Sequence, residues 1–141
     1  MRIAITSITN CRIPRRKIVK LLNFIGQGEK SPDWNVSIIF TDDKEISALN
    51  RRFRGKFGPT DILSFNFDDA PGRDSLLGEI YISAETAMSN AEKDEMSFTD
   101  EIILLCCHGM LHLFGYDHLK RTEQILMQNR EKYYLEKMKR C

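Results

Sequence analysis

Apolar positions alternate with polar ones at the start of the chain and settle into three- and four-residue steps further on. RIAIT at residues 2–6 sets Ile3 and Ile5 on one side, which predicts a first strand. Pro14 suits a helix start, and RRKIVKLLNFIGQG then spaces Ile18, Leu21, Leu22 and Ile25 helically, with Gly26 and Gly28 as the expected stop. WNVSIIF has the aromatic and β-branched content of a buried strand. Thr41 and Asp42 follow as cap candidates for a short helix from Lys44 to about Phe53, built on Ile46, Leu49 and Phe53 and exposing Arg51 and Arg52. DILSFNF and LGEIYIS both alternate, and the segment between them holds Pro71 and Gly72, which predicts an antiparallel hairpin with a long loop. Three more helical stretches, Ala84–Lys93, Thr99–Phe114 and Thr122–Met138, have Ser83 and Thr99 as candidate caps for the first two. The order β-α-β-α-β-β-α-α-α predicts an α+β fold, a mixed sheet of about four strands covered by about five helices.

A chain of 141 residues suits one domain over residues 1–141, and 42% hydrophobic with 29% charged residues is ordinary globular composition. No apolar run is long enough for a membrane span and no signal segment opens the chain, so the expectation is a cytoplasmic protein without a membrane partner. The net charge of +1 hides an uneven distribution: residues 1–60 carry +7, residues 61–101 carry −9 and residues 102–141 carry +3. Only local basic patches could therefore attract a polyanion. Cys11, Cys106, Cys107 and Cys141 form no CxxC pair and make a poor disulfide framework; Cys106 and Cys107 read as small buried hydrophobes before any redox or ligand role.

All three histidines fall in one eleven-residue window, HGMLHLFGYDH, at His108, His112 and His118. Random placement would do this roughly 2% of the time, so the cluster outweighs the usual false-positive risk of a short motif. His108 and His112 are four apart on an apolar helix and project from one face. Gly115 can end that helix in a left-handed conformation and let Tyr116-Asp117 turn the chain so that His118 returns as a third ligand. Three protein ligands with an open position are the arrangement of catalytic zinc, although imidazole also suits nickel, cobalt or iron. Asp117 either orients a ligand histidine or caps backbone amides beside the turn. Zinc peptidases place a glutamate directly after the first histidine of their HExxH helix; here that position is Gly109, which counts against proteolysis.

The motif HGMLHLFGYDH resembles the signature of the bacterial YbeY family, metal-dependent endoribonucleases implicated in ribosomal RNA maturation, including processing of the 16S 3′ end, and in ribosome quality control. Asn50-Arg51-Arg52-Phe53-Arg54-Gly55 with Pro59-Thr60-Asp61-Ile62-Leu63-Ser64-Phe65 is similar to a second block, and Leu77-Gly78-Glu79-Ile80-Tyr81-Ile82-Ser83 to a third. The likeness spans roughly residues 50–118, with one departure, Asn66, where the family commonly has proline after LSF.

The resemblance implies a zincin-like metal site on a helix end, with His108, His112 and His118 as ligands of one zinc or another divalent transition metal. It also implies a functional arginine at Arg54, whose planar guanidinium can clamp a phosphate and stabilise charge building on it. Arg51, Arg52 and Lys56 would then track an RNA backbone, with ribosomal RNA as partner and ribosomal or ribosome-associated proteins as further partners. A second basic run lies at Arg15, Arg16, Lys17 and Lys20. Phe53 and Phe57 either stack on unpaired bases or anchor the core and loop. Asp61, Glu79, Tyr116 and a second water are all conceivable general acids. The alternative function is a non-catalytic ribosome-assembly factor stabilised by the metal.

Overall fold

The computed structural model describes residues 2–30, 35–67, 76–117 and 119–140. The chain runs β1 (Ile3–Ser7), α1 (Arg15–Gly28), β2 (Asn35–Thr41), α2 (Asp43–Arg54), β3 (Ile62–Asn66), β4 (Leu76–Ser83), α3 (Ala84–Lys93), α4 (Phe98–Leu113) and α5 (Arg121–Lys139). The four strands form one sheet in the order β1-β2-β4-β3; β1, β2 and β4 run parallel and β3 pairs antiparallel with β4 at the edge. This is the α+β mixed sheet with five helices that the hydrophobic pattern predicts. The segment expected to loop between β3 and β4 lies largely outside the described residues.

Alternation along the strands divides the sheet into two faces. Register places Ile5, Ile38, Ile80 and Ser64 in one row across it. On that face Ile38, Phe40, Ile80 and Ile82 are fully buried with Ile18, Leu21, Leu22 and Ile25 of α1 and with the apolar run of α4. Each such side chain contributes about 1.5–3 kcal/mol through its removal from water. Leu63, Phe65 and Tyr81 point the other way; Leu63 is buried there, and Phe65 meets Phe53 of α2 edge-on with ring centroids 5.3 Å apart. Helix α5 packs on α1 and α4 rather than on the sheet, and no described helix is long and apolar enough to cross a membrane.

Helix α1 runs through Gly26 and ends with Gly28 as its last residue, at the expected glycine pair, with Glu29 as the cap. Gly28 also serves close approach, because a Cβ there would sit 2.8 Å from two ring atoms of Tyr134 in α5. One local expectation is corrected. Helix α4 is capped by Ser97 and not Thr99: the Ser97 hydroxyl accepts from the Asp100 amide at 3.0 Å, which seats Asp100 and Glu101 in the first turn where the helix end favours carboxylates. Asp42 and Ser83 cap α2 and α3 as expected.

A half-buried carboxylate joins three elements. Glu29 accepts hydrogen bonds from the Tyr116 hydroxyl at 2.7 Å, Arg130 at 2.7 Å and the Tyr134 hydroxyl at 2.5 Å. Burial alone would raise its carboxyl, but the hydrogen bonds from Tyr134, Tyr116 and Arg130 hold it below the usual carboxylate range. The end of α1, the segment after α4 and the middle of α5 are thereby tied to one point.

Candidate metal and RNA site

The C-terminal half of α4 lies unusually close to the sheet because the contact is made by glycines. A Cβ at Gly109 would lie 2.8 Å from Ile62 Cδ1 and 3.1 Å from both Ile80 Cγ2 and Ser64 Oγ, and one at Gly78 of β4 would collide with the Phe65 carbonyl oxygen and Leu113. Asn66, at the position of the departure from the family pattern, donates from Nδ2 to the Leu113 carbonyl at 2.6 Å and so fastens the end of β3 to the end of α4. The helix then stops at Phe114, and Gly115 has φ +96°, a left-handed conformation open to glycine. The Tyr116 amide bonds back to the Leu111 carbonyl at 3.1 Å, which turns the chain as the glycine predicts.

Opposite this helix end lies a cleft of about 680 Å³. His108 and His112 line it from α4, Arg54 from the end of α2, Lys56 from the loop after it, and Asp117 from the turn. The Nε2 atoms of His108 and His112 are 3.1 Å apart, as one helical turn on one face requires. His118, the third expected ligand, lies outside the described residues, and among the described residues no group of three histidine, cysteine, aspartate or glutamate side chains converges on a metal position.

The other ring nitrogen of His108 meets a partner that the sequence pattern does not reveal. Its Nδ1 lies 3.1 Å from Glu131 Oε1 of α5, a carboxylate only 17% exposed. A carboxylate on Nδ1 fixes the tautomer that leaves the Nε2 lone pair directed at the cleft. Asp117 accepts the Leu119 amide at 3.2 Å, the capping contact that was one of its two expected roles.

Arg54 is the last residue of α2, exposed, where the helix C-terminus favours a cation, and Gly55 ends the helix with φ +64°. Among the described residues no ion pair neutralises its guanidinium. Arg51, Arg52 and Lys56 are also exposed around it. Arg51 lies over the Phe57 ring at 5.4 Å and Arg52 over Phe53 at 5.2 Å. The anchoring role weighed for Phe57 is not observed, since the ring is 84% exposed; Asn50, buried in α2, holds the loop instead by donating to the Gly58 carbonyl at 3.1 Å. Phe53 is 56% exposed and combines its contact to Phe65 with an open face.

The candidate acids separate in space. Asp61 lines the cleft, its Oδ2 accepting from Asn90 at 3.3 Å. Glu79 projects from the opposite face of the sheet, between Gly78 and Ile80, which face α4. Tyr116 lines the cleft but commits its proton to Glu29, and burial followed by that bond raises its phenol above the ordinary range.

Does the donor set fit a metal? Two imidazole nitrogens bound to one tetrahedral zinc at 2.0–2.1 Å sit about 3.3 Å from each other. The 3.1 Å pair of Nε2 atoms is within a few tenths of that separation, and the carboxylate behind His108 is the usual companion of a metal-bound imidazole. The residues present fit such an ion.

Comparison with known proteins bears on the family and the fold. A family model described as Endoribonuclease YbeY matches residues 6–139. Among curated relatives, Endoribonuclease YbeY of Alkaliphilus metalliredigens is 44% identical over 112 residues, covering 76% of this chain and 72% of its own. That of Syntrophomonas wolfei is 37% identical over 132 residues, covering 86% and 85%. The solution structure of a Thermotoga maritima protein superposes with a TM-score of 0.66 at 29% identity, over 96% of this chain and 88% of that one. With its family match extending over nearly the whole sequence and its fold shared, the chain belongs to the YbeY endoribonuclease family.

Proposed function

We propose that the protein is a single-strand endoribonuclease acting on ribosomal RNA, including maturation of the 16S 3′ end and ribosome quality control, and that it depends on one metal ion, zinc by preference. The observation that carries this is the pair of Nε2 atoms 3.1 Å apart on the same cleft as Arg54. His108 and His112 would hold the ion, with His118 as third ligand. When bound, a zinc ion supplies a water acidified towards neutrality and a Lewis acid for a phosphate oxygen.

The chain's own residues do the rest. Glu131 fixes the ring of His108. Arg54 offers paired donors to the phosphate and stabilises the charge that builds there, with Lys56, Arg51 and Arg52 holding the flanking backbone. Asp61 faces the cleft with its carboxylate oriented by Asn90, in position to manage a proton. Gly109, where a peptidase carries its glutamate, disfavours a peptide substrate.

The test is metal analysis beside cleavage of a single-stranded ribosomal RNA fragment. About one equivalent of metal is expected. Dialysis against a chelator should remove metal and cutting together, and zinc should restore both. Cutting that survives complete metal loss refutes the metal reading, and a metal-loaded protein that does not cut moves the non-catalytic assembly-factor alternative to first place. Glu131→Gln, which keeps the shape but not the charge facing His108, is expected to weaken metal affinity by about 10–100-fold. Competition against a chromogenic chelator reads this directly, and an unchanged affinity removes Glu131 from the site.

A further inference from the structure

Phe57 is the most exposed of the large apolar side chains among the described residues, 84% open to solvent, and the loop does not need it for its own structure. That loop is set by Gly55 and Gly58, both at positive φ, and by the Asn50 bond to Gly58. The ring is attended by the Arg51 guanidinium at 5.4 Å, and Lys56, directly before it, and Arg54, three residues before it, line the cleft that holds the histidine pair. Phe57 is thus at most about 11 Å of chain from the arginine that would clamp the phosphate.

A protein partner would bury such a ring inside an apolar patch. Here the surroundings are four exposed cations, Arg51, Arg52, Arg54 and Lys56, which match a polyanion carrying flat apolar groups. An aromatic ring interleaved with cations is how single strands are held, the bases on the rings and the backbone on the charges. A base in a duplex already has both faces stacked and cannot use the ring.

We propose that Phe57, backed by Arg51, is a base-stacking residue that receives an unpaired nucleotide next to the phosphate held by Arg54. The inference rests on the single-strand ribonuclease reading and adds the residue that would read the unpaired state of the substrate. Neither charge nor the histidines can make that selection, since both meet phosphates alike in paired and unpaired RNA.

The test measures anisotropy of a labelled single-stranded RNA oligonucleotide and of the duplex of the same sequence, with strands confirmed intact on a gel afterwards. Wild type, Phe57→Ala and Phe57→Trp are compared, with thermal melts to show that all three fold. Phe57→Ala should bind the single strand about 5- to 140-fold more weakly, the range of one lost base–aromatic stack. Phe57→Trp should restore binding. The duplex should bind all three alike, and the salt slope should not change, because no phosphate contact is removed. If wild type binds RNA and Phe57→Ala binds the single strand equally well, the stacking role is overturned while the ribonuclease reading stands, and the ring is left for a protein partner. If wild type binds no RNA at all, the ribonuclease reading itself falls.

Discussion

If the proposed metal site is right, replacing His112 by alanine is expected to strip the protein of metal and lower RNA cleavage on the order of 10³-fold or more, because the acidified water that the ion would supply has no substitute among the side chains of the cleft. The fold should survive, since His112 sits on the cleft side of α4, only half-buried, and alanine is the better helix former. Arg54→Lys makes the informative contrast. It keeps the positive charge and does not touch the histidines, so metal content and the salt slope of binding should match wild type. The planar pair of donors is lost, and cleavage should fall by about 10²–10³-fold, the usual cost of one missing donor to developing charge. Single-turnover rates beside metal analysis separate the two variants. Cutting at the full rate by Arg54→Lys would remove the arginine from the chemistry, and metal retained by His112→Ala would remove the histidine from the ligand set.

The second large effect concerns Gly109. Placing glutamate there, to imitate a zinc peptidase, is expected to unfold the domain or cost on the order of 4 kcal/mol or more, rather than to create a peptidase. The position is buried, and even the Cβ would press on Ile62, Ile80 and Ser64. Overpacking alone costs about 1–3 kcal/mol, and a carboxylate buried without a partner adds to that. Gly109→Ala should be milder, since its gain in helix propensity of about 1 kcal/mol offsets part of the crowding. Urea titration of both variants reads the difference. A Gly109→Glu protein as stable as wild type would mean that α4 can lift from β3 and β4, and the close approach would lose its explanation.

The legible parts of this molecule are those written in local spacing. Ile18, Leu21, Leu22 and Ile25 announce α1, the run before His108 announces α4, and the step from His108 to His112 announces a shared face. Glu131 could not be read in that way. It reaches His108 from another helix, 23 residues downstream, and in the sequence it is one of several charged residues in a helix whose apolar face is weakly marked. The Glu29–Tyr116 bond spans 87 residues and leaves no local trace either. Phe57 misleads in the opposite sense: an aromatic residue carries a presumption of burial, and only the third dimension shows that Asn50 has taken over the task of holding the loop.

The order of strands in the sheet bears on when the protein becomes dangerous to RNA. Among the described residues β3 pairs only with β4, and β4 lies between β2 and β3, so the edge of the cleft has no place to dock until residue 83 has been made. Domains fold as the chain emerges, N-terminal portion first. The histidine pair comes later, Glu131 later still, and Arg130 and Tyr134, which gather Glu29 to the turn after α4, belong to the same last helix. A nascent chain thus exposes its arginines well before it possesses a finished cutting centre. A fragment that stops short of α5 lacks Glu131, which holds His108, and Arg130 and Tyr134, which gather Glu29 to the turn after α4, so the site is completed only by the segment made after the histidines.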